Sequence, residues 1–182
     1  MEKQNETAES SLKTYILENT PARIRERYAH LKEYAQTHTF GALDADVVVL
    51  DTETTGFSFN HDELIQIAAA RMCNGEIVEW YVTFVDPGKE IPDEVAHLTN
   101  IHEEDVADVP DPDTALAGLV DFVGDSLVIA HNVGFDRTFV TKRAAGATLK
   151  NNIWIDSLDL ARIALPRLNS HRLLDLCLLY TS

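Results

Sequence analysis

The dipeptide Asn74-Gly75 joins two runs rich in β-branched and aromatic residues, Leu64–Cys73 and Glu76–Val85. Asn-Gly tolerates the positive φ values of a two-residue turn, so this pair commits the chain to an antiparallel hairpin and hence to a sheet. A third run, Asp46-Val-Val-Val-Leu-Asp51, has the length and apolar continuity of a buried strand. Leu127-Val-Ile-Ala130 reads as a fourth strand and Ile153-Trp154-Ile155 as a short fifth. Helical spacing alternates with these strands. Thr114–Val123 places Leu116, Leu119, Val120 and Val123 on one stripe, Phe135–Ala145 runs to Gly146, and Ser157–Leu165 stops at Pro166. The polar stretch holding Pro92, Pro110 and Pro112 carries one or two short helices. A hairpin followed by alternating strands and helices predicts an α/β domain with a mixed central sheet and flanking helices.

Upstream, residues 1–11 are too polar to pack and are expected to be disordered. Thr20-Pro21 reads as a helix cap, with Ile24, Tyr28, Leu31 and Ala35 at helical spacing after it. Residues 1–43 are therefore expected to form an N-terminal extension, with Arg23, Arg25 and Arg27 on a solvated face and Gly41 marking the break. An apolar content of 45% supports a real core. No run approaches the roughly 18 apolar residues of a membrane span, and the polar start is not a secretory signal. Cys73 and Cys177 lack metal-ligand spacing and are too few for a disulfide framework, so a cytoplasmic protein is expected.

Formal charge is −15. That argues against a protein that coats nucleic acid, because phosphate neutralisation needs Lys and Arg. It leaves open an enzyme whose carboxylates bind divalent cations, since a metal reverses the local sign.

Asp51 and Glu53 close the Asp46–Asp51 run as Asp-Thr-Glu. Side chains at i and i+2 share a strand face, so both carboxylates point the same way. Like charges held together are costly unless a cation lies between them, and hard oxygen donors suit Mg²⁺ or Mn²⁺. The same three residues fit equally well an acidic strand end turning into solvent. The second constellation is His131-Asn132-Val133-Gly134-Phe135-Asp136, which follows the fourth strand and opens a helix. Strand ends of one sheet converge, which would bring Asp136 beside Asp51 and Glu53. His131 and Asn132 are expected to hold the turn by hydrogen bonds, and Phe135 to be core or a pocket wall.

Together these segments resemble the DnaQ-like DEDD exonucleases of the DEDDh type, including the epsilon-type and PolC-type proofreading domains of DNA polymerase III. Val-Val-Leu-Asp51-Thr-Glu53-Thr-Thr-Gly56 is similar to their first motif and Val-Ile-Ala-His131-Asn-Val-Gly-Phe-Asp136 to their second. Asp62–Ala69, Ile91–Ile101 and Ile155–Arg162 resemble the connecting segments, with Asn100 standing where the family commonly has Gly. The likeness covers residues 44–176. It implies a ribonuclease H-like fold and a 3′→5′ exonuclease that releases nucleoside 5′-monophosphates from the 3′ end of single-stranded DNA. It also implies two Mg²⁺ (or Mn²⁺) ions held by Asp51, Glu53 and Asp136, and a polymerase subunit as partner. The terminal nucleotide would lie against the backbone around Thr54, Thr55 and Gly56, and against Leu98 and Thr99. Two other readings stay open: an RNA-trimming relative of the same fold, and a catalytically inactive module that binds 3′ ends or a polymerase.

The family's third motif supplies a general-base His and, five residues later, a fourth carboxylate. Here only His171 and Asp175 are at hand, four apart, in Ser-His-Arg-Leu-Leu-Asp-Leu. This stretch better resembles the segment that precedes the third motif, which makes His171 a helix-start residue and Asp175 a surface carboxylate. Residues 177–182, Cys-Leu-Leu-Tyr-Thr-Ser, are also the translation of TGTCTCTTATACACATCT, a transposon-end adapter. The expectation is a domain cut short before its third motif, with a non-native tail and little or no cleavage of its own.

Overall fold

A computed structural model describes residues 46–181, with side chains through Cys177, together with Ala22 and Glu26, both helical. The remaining positions expected in the 20–37 helix, and residues 1–11, lie outside the described residues. The chain divides into two compact units, a sheet unit over residues 42–158 and a second to which Asp159 onward belongs.

Five strands make the sheet unit: β1 (Val47–Thr54), β2 (Leu64–Cys73), β3 (Glu76–Phe84), β4 (Leu127–Ala130) and β5 (Trp154–Asp156), in the order β3-β2-β1-β4-β5. β1 is antiparallel to β2 and parallel to β4, and β4 is parallel to β5, so the sheet is mixed as expected. At the β2–β3 turn Asn74 and Gly75 both take positive φ, 53° and 79°. Alternation along β1 buries Val48, Leu50 and Thr52 and leaves Val49 and Asp51 exposed on the opposite face.

The helices are α1 (Asp93–Thr99), α2 (Pro112–Val123), α3 (Gly134–Thr141), α4 (Ser157–Ala164) and α5 (Leu173–Thr181), with 3-10 turns at Glu103–Asp105 and Ala144–Asn151. α2 starts where Asp111 accepts from the N–H groups of Asp113 and Thr114, with Pro112 in its first turn. α1 ends at Asn100, whose φ of 56° shows why Gly is the usual residue there and why Asn substitutes. One core joins Val48, Leu50, Ile67, Ala69 and Val128 of the sheet to Leu116, Leu119 and Val123 of α2 and to Phe139 and Val140 of α3. Each Val, Leu, Ile or Phe among them, fully buried, contributes on the order of 1.5–3 kcal/mol.

Two local departures matter. The expected helix over 135–145 ends at Thr141, and Ala144–Asn151 winds as 3-10. Arg143 is extended there (φ −93°, ψ 154°), and Gly146 packs so tightly that an added Cβ would stand 1.8 Å from the Val140 carbonyl oxygen. The second departure is a bulge. Between Glu53 and Thr54 the β1–β2 register slips and Ile65 has no partner on β1. Leu64 and Ile67 therefore share the main core while Ile65 joins a second cluster with Ile91, Ile101 and Val106.

Candidate active site

Asp51 and Glu53 project from the end of β1, Asp51 more open to solvent than Glu53. Asp136 comes from the first turn of α3 and is only 3% exposed. The link between them is Thr52. Its side chain points to the opposite face from Asp51 and Glu53, and its hydroxyl donates to Asp136 Oδ1 at 2.7 Å. Asp136 is thereby held by the residue that stands between the other two carboxylates in the strand.

Electrostatics show the cost of this arrangement. Burial lifts Asp136 from 3.8 to about 7, and the neighbouring charge of Asp51 adds to it while the Thr52 hydroxyl pulls the other way. Burial also raises Asp51, with the Thr52 backbone and the nearby His131 partly offsetting it. Glu53 is raised by burial and by Asp51. All three carboxyls thus resist ionisation, chiefly through burial, and the charge of Asp51 adds to the rise at Glu53 and Asp136. Among the described residues no three Asp, Glu, His or Cys side chains already surround a common point. The donor set, oxygen only and mutually repelling, still fits a hard divalent cation such as Mg²⁺ or Mn²⁺.

The loop after β1 is tied down by its own side chains. Thr55 Oγ1 donates to Asp62 Oδ1 (3.0 Å), Ser58 N–H donates to Asp62 Oδ2 (2.9 Å), and Thr55 N–H donates to the Glu63 carbonyl (2.8 Å). Thr54 Oγ1 donates to the Gly56 carbonyl at 2.6 Å. A Cβ on Gly56 would stand 2.5 Å from Asp62 Oδ2, so glycine is what lets Asp62 close the loop. The hydroxyls of Thr54 and Thr55 are thus spent on the loop, which leaves backbone as the surface they offer a ligand. Leu98 is exposed on α1, and Thr99 Oγ1 donates to the Val95 carbonyl, closing that helix.

The turn before α3 behaves as its sequence suggests. His131 Nδ1 lies 3.0 Å from Ser157 Oγ, and Asn132, at φ 66°, donates its N–H to Asp156 Oδ1 at 3.0 Å. In the second unit, His171 Nε2 lies 2.8 Å from the Leu165 carbonyl oxygen. Asp175 accepts from Ser170 Oγ (2.5 Å) and Arg172 Nε (3.2 Å). Both residues are engaged locally.

Sequence reasoning missed Phe57 and Phe59. Phe135 and Phe139 of α3 form an aromatic cluster with them, with Phe57 and Phe59 both 6.0 Å from Phe135 between ring centroids. Phe57 is 82% exposed, one position past the Thr-Thr-Gly turn. The available signal was a pair of aromatic residues, Phe57 and Phe59, directly after the Thr-Thr-Gly turn.

A family model described as Exonuclease (RNase_T) matches residues 48–181. The chain belongs to this exonuclease family. It is 41% identical over 134 residues to "DNA polymerase III PolC-type" of Clostridium perfringens, a match covering 72% of this chain and 9% of that protein. The protein of that name from Bacillus cereus is 34% identical over 146 residues, 79% of this chain and 10% of the relative. The chain thus spans about a tenth of these relatives. Among solved structures, Exonuclease X in complex with 5′ overhanging duplex DNA aligns with a TM-score of 0.52 at 25% identity, over 68% of this chain and 66% of that one. E. coli Exonuclease I in complex with a dT13 oligonucleotide aligns with a TM-score of 0.57 at 20% identity, over 68% and 31%, which shows the shared fold. The expected family and the ribonuclease H-like architecture are both borne out. Among the described residues no helix is long and apolar enough to cross a membrane.

Proposed function

We propose that this domain is a metal-dependent 3′→5′ exonuclease acting on single-stranded DNA ends, of the proofreading type, with a replicative polymerase as its working partner. What supports this reading is membership of the exonuclease family, together with Asp136 held by Thr52, the residue between Asp51 and Glu53 on β1, and near enough to Asp51 to feel its charge. Asp51, Glu53 and Asp136 would hold two Mg²⁺ or Mn²⁺ ions, which lower the pKa of an attacking water and stabilise the leaving 3′ oxygen. The remaining work falls to the chain itself. Thr52 orients Asp136, and the closed loop from Thr54 to Glu63 offers backbone to the terminal nucleotide. Phe57 presents a face on which a base can stack. PolC-type relatives and a DNA-bound Exonuclease X support DNA as the substrate. His171 and Asp175, engaged by Leu165 and by Ser170 and Arg172, serve the second unit rather than the chemistry.

A single strand carrying a 3′ label, incubated with the chain and Mg²⁺ or Mn²⁺, tests the activity. The expected pattern is little or no release of labelled mononucleotide by this chain alone, and strong release by a longer form carrying a third-motif His and Asp, lost there in Asp51→Asn and kept in His171→Ala. Cleavage that survives Asp51→Asn, or internal cutting of a circular strand, would overturn it.

A further inference from the structure

The loop between β1 and β2 is seated on α3 by a small set of contacts. Among the described residues, neither hydrophobic cluster includes a side chain from Gly56 to Glu63. The bonds of Thr55 and Ser58 to Asp62 are internal to the loop, so they fix its shape and not its seat. Near its start, Phe57 and Phe59 lie against Phe135, and Phe59 stands 5.2 Å from Phe139 between ring centroids. At its far end the contact is ionic. Glu63 Oε2 lies 3.2 Å from Lys142 Nζ and 3.1 Å from Arg143 Nη2. Lys142 Nζ also donates to the Asp62 carbonyl and stands over the Phe139 ring, 4.8 Å from its centroid. A further cation, Lys89, donates to the His61 carbonyl at 2.9 Å but is more exposed than these three side chains.

One carboxylate thus serves two successive cations. Arg143 reaches a second anion, Asp113, only at 3.6 Å, and among the described residues its buried Nε has no hydrogen-bond partner. Without the charge of Glu63, Lys142 and Arg143 would stand side by side, partly buried and repelling each other. Phe139 and Val140 anchor α3 in the core, so the loop is the part that would shift. We propose that Glu63 is a positioning residue for nucleotide binding: by holding Lys142 and Arg143 it seats the loop on α3 and sets where Phe57 presents its ring. This rests on the function proposed above, in which the terminal nucleotide lies against that loop. Lys142 follows Asp136 by six positions, about 9 Å along a helix, so the clamp acts on the nucleotide and not on the metal ligands.

Fluorescence anisotropy of a labelled oligothymidine in Ca²⁺, with the 182-residue chain, reads this. Glu63→Gln should weaken binding about 10-fold, the loss of one stacked base, and leave the Ca²⁺-dependent rise in melting temperature as in the parent. Adding Phe57→Ala to Glu63→Gln should weaken it little further, because both changes act through one ring. A Glu63 that only supported folding would let the two losses multiply, to about 100-fold. Lys142→Met is the milder variant, since it keeps an apolar stem over Phe139 and leaves Arg143 on Glu63. It should weaken binding by a smaller factor, again without multiplying with Phe57→Ala, and it carries the test if Glu63→Gln does not hold its fold. Parent-like affinity in these variants overturns the proposal, as do losses that multiply, and either result leaves the functional reading standing. A parent that fails to bind oligothymidine in Ca²⁺ overturns that reading and this inference together.

Discussion

Asp136 shows how one residue carries both a cost and a use. Its carboxyl is lifted from 3.8 to about 7 by burial. Between those values the unfolded chain has released this proton while the folded chain keeps it, so folding stability falls as pH rises through that window. Below the window both states hold the proton, and above it neither does. In EDTA the protein should therefore melt lower at about pH 8 than at about pH 5, by an amount on the order of 2–4 kcal/mol from this group. Asp136→Asn keeps an acceptor for Thr52 and removes the charge, so it should melt higher than the parent at the upper pH and show a shallower pH slope. An equal slope in the two proteins would contradict the assignment. Phe57 acts differently, because its ring is 82% exposed and supports little of the fold. Phe57→Ala should leave the melting temperature within about a degree while weakening binding of an oligothymidine in Ca²⁺ about 10-fold, as loss of one stacking contact implies. Fluorescence anisotropy measures it, and unchanged affinity removes Phe57 from the site. The spacing of Asp51 and Glu53 was legible in the sequence because strand alternation is local. The Thr52–Asp136 bond and the Phe57 cluster were not, since each joins residues far apart in the chain.

Whole elements were legible where their signals are local. Asn74-Gly75 announced the hairpin, and β2 and β4 have the bounds their apolar runs suggest. Asn100, standing where the family commonly has Gly, takes the left-handed conformation. The errors lie where tertiary packing overrides periodicity. Apolar spacing continues past Thr141, yet the chain leaves α3 because Gly146 must approach the Val140 carbonyl. Likewise the bulge at Ile65 depends on a second cluster that only the assembled fold supplies. These constraints make Gly146→Ala a sharp test. The new methyl would stand 1.8 Å from a backbone oxygen that cannot swing aside, so a loss of about 3 kcal/mol or more is expected in denaturant melts. Gly134→Ala is the matched control. Nothing lies within 4 Å of its added Cβ, and Ala is the better helix former, so stability should hold or rise slightly. Equal effects at the two glycines would mean that the α3-to-3-10 packing is wrong.

At the scale of the molecule the question is how a chain with 30 acidic and 15 basic side chains meets a polyanion. Electrostatic attraction cannot come from the chain's overall field, which repels phosphate beyond the roughly 8 Å screening length of physiological salt. Under the proposed function it comes from cations held at Asp51, Glu53 and Asp136, which would reverse the local sign. Binding of single-stranded DNA should therefore be conditional. With EDTA, affinity should be too weak to measure at micromolar protein, whereas Ca²⁺ or Mn²⁺ should bring it into range. The same ions should raise the melting temperature without DNA, by an amount corresponding to about 2.7 kcal/mol at a hundred times the dissociation constant. Asp51→Asn should abolish both effects together, because one cluster causes both. Tight DNA binding in EDTA would place recognition on some other surface and detach it from the carboxylates. A cation-dependent melting shift that survives Asp51→Asn would place the metal elsewhere as well.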